Sequence, residues 1–248
     1  MIEKFLVNSM DMVKRGIRES DGRGDRKHEI GFRSIFQLRK MAKIAAFLGK
    51  GRGLTGSIGS LSVALMTLQQ KIRLLLDQYT PDRVEEQQYL QEMKVHSLAD
   101  DCHLRSRVHA HFTASAWVLD AKQERVLLIH HNKLQRWLQP GGHLEPDDAD
   151  LVASARREVA EECGLHELVL LREGLFDVDI HTIPQRGDVP EHLHLDLRFI
   201  FSAVKEEIQL DMSEVSAARW IPLDEALQTL DSTSLFRMVE KCVNGSRL

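Results

Sequence analysis

Hydrophobic positions divide the 248-residue chain into three textures. Residues 1–65 carry no clean period. Within them IFQLRKMAKIAAFL (35–48) predicts a short helix, and the Gly/Ser-rich GKGRGLTGSIGS (49–60) a linker or loop. From Met66 the pattern becomes helical. In MTLQQKIRLLLDQY (66–79), Leu68, Ile72, Leu75 and Tyr79 recur at helical spacing, and Pro81 ends that helix. VEEQQYLQEMKVHSL (84–98) predicts a second helix. From about residue 107 the pattern turns to strands. HFTASAWVLD (111–120) and ERVLLIHH (124–131) form a hairpin-like pair across AKQ. RWLQPGGH (136–143) is a short strand entering a Gly-Gly turn. LVLLREGLFDVDIHTIP (168–184) and HLHLDLRFIFSAV (192–204) are expected as long strands, and ARWIPL (218–223) as a strand that leads into a helix. Helices are expected at 148–163 and 234–243. Strands and helices alternate, with hairpins among them, which favours a mixed sheet flanked by helices. The organisation expected is a basic, partly flexible extension (1–65), a helical segment (66–106) and a main domain (107–245). Met66 is then the functional start, and 1–65 an appendage.

Charge sharpens this division. The net charge is −4. Residues 1–65 hold 13 Lys/Arg against 6 Asp/Glu, a net of +7, which leaves 20 against 31, a net of −11, on the rest. An acidic body argues against duplex nucleic acid as partner, because that binding depends on neutralising phosphates. It suits a protein that recruits divalent cations. No apolar run approaches the ~18 residues that span a bilayer, and the start lacks the features of a signal peptide. Cys102, Cys163 and Cys242 form no CxxC pair, which points to reduced thiols in a cytoplasm.

The stretch from Gly141 to Leu165 carries the chemistry. Leu151, Ala155 and Val159 make one apolar helical stripe. Glu158, Glu161 and Glu162, at i, i+3 and i+4, project from another face. Asp147, Asp148 and Asp150 crowd the helix start, and Gly164 stands where the helix should stop. Three glutamates in the last turns repel one another and oppose the helix dipole, unless something positive sits over them. Clustered carboxylates are ligands that Mg²⁺ or Mn²⁺ prefers. A solvated acidic helix face is the plain rival reading, and the Gly-Gly turn before and the glycine stop after weigh against it.

The segment Arg157-Glu158-Val159-Ala160-Glu161-Glu162-Cys163-Gly164-Leu165, with Trp137-Leu138-Gln139-Pro140-Gly141-Gly142 upstream, resembles the Nudix box and the family's approach to it. The likeness covers roughly 107–245. One departure stands out: Gly142 to Arg157 is one residue longer than the usual pattern. Counting forward from Gly142 puts Asp148 at the box's upstream glutamate, and counting back from Arg157 puts Ala149 there. The resemblance implies an α/β/α sandwich and hydrolysis of a nucleoside diphosphate linked to another group, with Mg²⁺ or Mn²⁺. It implies Glu161 and Glu162 as metal ligands and Glu158 as a further ligand or a base that orients water. It adds the Gly141 carbonyl as an extra ligand and Arg157 as the holder of the glutamates. The base often comes from a later loop in this family, and Glu191 and Glu214 are unranked candidates. A homodimer is expected by analogy with family members. Two other readings stand beside the hydrolase: a Nudix-fold module that binds a nucleotide without cutting it, and a prenyl-diphosphate isomerase, for which no separate Cys/Glu pairing is found.

Several residues keep two readings. Arg136 and Lys133, with Gly142, face substrate phosphates, or the two side chains are simply solvated. Trp137 stacks on a base or fills a core. His192 and His194 share one strand face, as do Asp177 and Asp179; they contact phosphate or a second ion, or they line a solvated sheet face. His109, His111, His130 and His131 read as structural or surface residues. No ligand set has a recognisable zinc spacing, so zinc is not expected.

Overall fold

The computed structural model describes residues 66–229 and 232–244. The expected extension over 1–65, with its helix at 35–48 and its linker, lies outside the described residues. Helix α1 (Leu68–Gln78) starts on a capping box: Thr67 accepts from the Gln70 backbone, and the Gln70 side chain accepts from the Thr67 backbone. It buries Ile72 and Leu76. Helix α2 (Val84–His96) buries Glu86, Leu90 and Met93. Strands β1 (Ala110–Leu119), β2 (Arg125–His131), β3 (Arg136–Leu138) and β4 (Gly141–His143) follow. Helix α3 (Leu151–Cys163) precedes β5 (Leu168–Leu170), β6 (Asp177–Ile183), β7 (His192–Ala203) and β8 (Val215–Pro222). Helices α4 (Leu223–Thr229) and α5 (Thr233–Val243) close the described chain.

The sheet is mixed. β1 and β7 run parallel, in register from Ala110 opposite Leu193 to Leu119 opposite Ser202, and every other pairing is antiparallel. The order is β3-β2-β1-β7-β5, with β4 also on β1, β6 on β7 and β8 on β2. All of β1 is buried, as a strand covered on both faces must be. On one face Phe112, Ala114 and Ala116, with Leu195, Leu197 and Phe199, pack against Leu151, Ala155 and Val159 of α3. On the other, Trp117, Leu119 and Ile200 pack against Leu235, Met238 and Val239 of α5. This is the expected α/β/α sandwich.

The strand expected over 168–184 is interrupted. β5 and β6 both pair with β7, but residues 172–175 leave the ladder between them, with Gly174 at φ +79° in the excursion. Residues 136–143 likewise split into β3 on β2 and β4 on β1, with Pro140, which has no N–H to donate, between them.

The second face is polar toward the N-terminal ends of β1 and β7. Asp196 accepts from Thr113, Ser115, Gln139 and Arg198. Beside it Asp177 accepts from Arg237 and Lys241, each at 2.8 Å, and Asp179 accepts from Arg198 at 3.0 Å and Arg237 at 3.2 Å. Neither reading of Asp177 and Asp179 survives: the pair is buried and neutralised by the chain's own cations rather than solvated or free for phosphate. A residue-by-residue strand pattern cannot reveal this, because the cations come from β7 and α5.

Candidate active site

The helix start is fixed by Asp150, whose side chain accepts from the Ala153 backbone, and its end by Gly164, at φ +70° in the left-handed region. The buried stripe of Leu151, Ala155 and Val159 sets the rotation of α3. Glu158 and Glu162 are thereby turned against β4, while Glu161 stays exposed. Glu162 is 2% exposed and accepts from the Gly141 N–H at 3.0 Å. A side chain at Gly142 would place its Cβ 2.6 Å from the Glu158 carboxylate, so a residue without a side chain is needed for β4 to approach the helix.

Arg157 organises this corner. Its guanidinium grips Asp148 with two bonds, Nε at 3.0 Å and Nη2 at 3.1 Å. It also donates to Glu158 at 2.8 Å, Glu161 at 3.0 Å and the His143 carbonyl at 2.8 Å. Such a fork requires arginine; lysine cannot reproduce its planar geometry. Of the two positions that counting allows, Asp148 is the one whose carboxylate is tied to Arg157. Burial works against ionisation of Asp148, but the Arg157 fork, Ser154 and the Glu145 backbone outweigh it and hold the carboxyl below its usual range.

Glu158 and Glu162 shift the other way. Burial pushes Glu158 up to about 7, against the pull of Arg157, with the charges of Glu161 and Glu214 adding to the rise. Burial pushes Glu162 up to about 8 despite the Gly141 N–H, and Glu158, Glu214 and Glu161 add to it. These carboxylates need a positive charge that one arginine does not fully provide. Their hard oxygen donors are of the kind that Mg²⁺ or Mn²⁺ prefers.

Glu214 lies in the loop before β8, close enough for its charge to act on both buried glutamates. Glu191 lies in the segment that enters β7. Arg136 is exposed on β3, opposite His131. Lys133 acts on both His131 and His143, which places it at the same rim. Trp137 is half-buried on β3, with the Arg219 guanidinium 4.2 Å from its ring centroid, and packs against the second core. The core reading of Trp137 therefore fits its surroundings.

The sequence reading missed what surrounds His143. This residue follows Gly142, and its ring lies 5.1 Å from that of His111 and 5.0 Å from that of His194. His192 and His181 join them, His192 at 5.1 Å from His111 and His181 at 5.5 Å from His194. The side of the sheet where His192 and His194 lie is thus neither solvated nor isolated, and His111 is 2% exposed at its centre. Burial, then neighbouring positive charge, pushes His143 down to about 3, and the same causes lower His194.

A mixed-sheet sandwich whose helix carries Arg157 and three glutamates beside a Gly-Gly turn is the architecture of a phosphoanhydride hydrolase class. The chain belongs to the Nudix family of hydrolases: the NUDIX domain model matches residues 109–242. No curated protein sequence matches the chain. Among solved structures, it is similar to a hydrolase of the NUDIX family from Clostridium perfringens, at 22% identity and a TM-score of 0.42, over 55% of this chain and 98% of that one. It is similar to the dihydroneopterin triphosphate pyrophosphohydrolase of E. coli, at 17% identity and a TM-score of 0.43, over 56% and 100%. It is also similar to an Ap4A hydrolase of C. elegans, at 17% identity and a TM-score of 0.39, over 54% and 96%. No helix among the described residues is long and apolar enough to cross a membrane.

Proposed function

We propose that this chain hydrolyses a diphosphate bond in a nucleoside diphosphate linked to another moiety, with Mg²⁺ or Mn²⁺ at the glutamate cluster. The observation that supports this reading most is the burial of two of the glutamates: Glu158 and Glu162 lie buried against β4, the exposed Glu161 shares the Arg157 guanidinium with Glu158, and burial raises the first two to about 7 and 8. When bound, the cation would neutralise diphosphate charge and make a water more nucleophilic at neutral pH. Glu161 and Glu162 are the residues that would hold it, with Glu158 and the Gly141 carbonyl beside them. Arg157 is a positioning residue, because its bonds run to carboxylates and to the His143 carbonyl rather than into open space.

In the reaction, a water oxygen adds to one phosphorus and the bond from that phosphorus to the bridging oxygen breaks. The water proton passes to a carboxylate, and the bridging oxygen leaves on the other phosphate. Glu214 ranks ahead of Glu191 as acceptor of that proton, because its charge already reaches Glu158 and Glu162. Lys133 and Arg136, at the rim by His131 and His143, would meet the substrate's remaining charge, and Gly142 would let its phosphates approach the backbone. A cytoplasmic setting and a homodimer belong to the same proposal, the latter checked by light scattering.

The test is phosphate or nucleotide release from nucleoside triphosphates, ADP-ribose, NADH, dinucleoside polyphosphates and nucleotide sugars, with Mg²⁺ or Mn²⁺ and with EDTA. Turnover that requires metal and is lost in Glu161→Gln and Glu162→Gln is expected. Nucleotide binding without turnover on any member of the panel would replace this reading with that of a binding module.

A further inference from the structure

Five imidazoles gather at one end of the sheet, and the Nudix chemistry uses none of them. They arrive from four strands: His111 from β1, His143 from β4, His181 from β6, and His192 and His194 from β7. Register explains the meeting. His111 stands opposite His194 across the parallel pair, and His181 stands opposite His194 on the other side. His192, two residues before His194, shares its face. One ring nitrogen from each of His111, His192 and His194 lies within 4.8 Å of the others.

The hydrogen bonds fix which nitrogen is free. The His111 Nδ1 lies 3.1 Å from the Arg107 carbonyl, and the His192 Nδ1 lies 2.8 Å from the Pro190 carbonyl. A carbonyl only accepts, so each Nδ1 carries the proton and each Nε2 keeps a lone pair. The His181 Nδ1 faces the Asp179 carboxylate in the same manner, at 3.3 Å. The Nε2 atoms of His111 and His194 are buried and have no hydrogen-bond partner among the described residues. His111 itself is 2% exposed. A buried polar atom without a partner is costly, so something absent from the chain itself is called for. Water could satisfy one lone pair. Converging ring nitrogens, with the rings of His111 and His192 each held from behind by a carbonyl, have the kind of outer shell that orients metal-bound histidines.

We propose that His111, His192 and His194 form a second metal site, separate from the Nudix glutamates, which takes a divalent transition ion of the Zn²⁺ class, with His143 as the neighbouring fourth imidazole. The donor chemistry selects the ion. Neutral imidazole nitrogens suit Zn²⁺, Co²⁺ or Ni²⁺, whereas Mg²⁺ prefers oxygen. Nitrogen ligands at 2.0–2.1 Å from a tetrahedral ion stand roughly 3.4 Å apart, so the rings need to draw in by little more than an ångström. Spacing rules do not reveal the site in the sequence, because they describe ligands carried on one loop or helix. Here three strands, β1, β4 and β7, each supply a part. Although His143 follows the Gly141-Gly142 turn, its ring and the other imidazoles lie on the sheet face opposite α3, so the sheet separates an ion held there from the glutamates.

The test uses the tag-free chain, stripped with chelator and titrated with Co²⁺ and then Zn²⁺. One equivalent of Co²⁺ with the strong visible bands of a four-coordinate nitrogen site is expected, bleached by one equivalent of Zn²⁺. The bands should persist in the Glu161→Gln/Glu162→Gln double variant. Affinity for Co²⁺ should fall by on the order of 100-fold or more in His192→Gln and His194→Gln, at or beyond the upper end of what losing an outer-shell partner costs. Circular dichroism melts report whether those variants fold. If they do not, X-ray absorption of the Zn²⁺-loaded wild-type chain decides: three or four imidazole ligands support the site, and an oxygen-only shell overturns it. Absence of the bands in the wild type, their loss in the glutamate variant, or their retention in folded histidine variants would each overturn it.

Discussion

At the scale of single residues, Glu158 and Glu162 are held where carboxylates resist ionising, and this has a sign that stability measurements can read. Both are raised above the ordinary value of 4.5, to about 7 and about 8, so the folded chain keeps protons that the unfolded chain has lost. Stability from these groups is complete at low pH and is lost as the pH rises through 7 and 8. His111, His143 and His194 are lowered from 6.5 and act in the opposite sense, but only below about that pH. From pH 6.5 to 8.5 the glutamates therefore dominate, with an effect on the order of a few kcal/mol. In EDTA, the melting temperature should fall across that interval. Saturating Mg²⁺ should flatten the fall, because it binds the ionised form. Glu162→Gln should flatten it without metal, melt higher than wild type at pH 8.5, and lose turnover. A metal-free melting curve that rises from pH 6.5 to 8.5 would refute the raised values. Gly142 supplies a second prediction at this scale. Gly142→Ala drives a methyl into the Glu158 carboxylate, so kcat should drop by about 100-fold, as displacements near an ångström can do, with the fold retained by circular dichroism.

At the scale of elements, α3 was legible in its body and its end, but it starts at Leu151 rather than at 148, and the turn before it was not legible. The helix could be read because its period, its Asp150 cap and its Gly164 stop all agree. The upstream carboxylate escaped because the extra residue lies in the turn, where counting has no period to lean on. Asp148 closes that turn: its N–H donates to the Glu145 carbonyl and its side chain accepts from the Glu145 N–H and the Ser154 hydroxyl. That fixed geometry, not distance along the chain, puts its carboxylate in the Arg157 fork. Asp148→Ala should then cost about 2 kcal/mol, since it leaves a charged hydrogen-bond donor without its main partner. The double change Asp148→Ala/Ala149→Glu should fail to restore either stability or turnover, although it preserves the spacing counted back from Arg157. Recovery of turnover in the double variant would show that the register assigned to the box is wrong. Turn chemistry also explains why 168–184 divides: the apolar run breaks at Arg172-Glu173-Gly174, and Gly174 takes the positive φ that the excursion needs.

At the scale of the whole molecule, the family match begins at residue 109, yet the chain before it is bound into the same interior. Glu86 of α2 is fully buried, accepts from the Tyr79 hydroxyl and the Asp82 backbone, and pairs with Lys241 at 2.6 Å and Arg237 at 3.2 Å. Those two cations of α5 are the ones that neutralise Asp177. Ile72, Leu76, Leu90 and Met93 of α1 and α2 enter the same core cluster as α3. None of these ties could be read from the sequence, where Glu86 looks like an ordinary first-turn acid and Lys241 like an ordinary last-turn base. Their consequence is that α1 and α2 are part of the fold rather than a leader to it. Removing one member of a buried pair leaves its partner charged without compensation, at a cost of about 3–5 kcal/mol. A chain beginning at residue 107 removes Glu85, Glu86 and Tyr79 from Arg237 and Lys241 at once, and uncovers the apolar surface that the two helices bury. It should show no cooperative melt, and its amide NMR spectrum should lack dispersion, whereas a chain beginning at residue 66 should melt cooperatively. Asp177→Ala in the full chain should reproduce much of that loss without any deletion, because the same cations lose one of the two carboxylates they share. If the chain from residue 107 instead melts cooperatively within a few degrees of the one from residue 66, the ionic network is dispensable and the matched domain alone carries the fold.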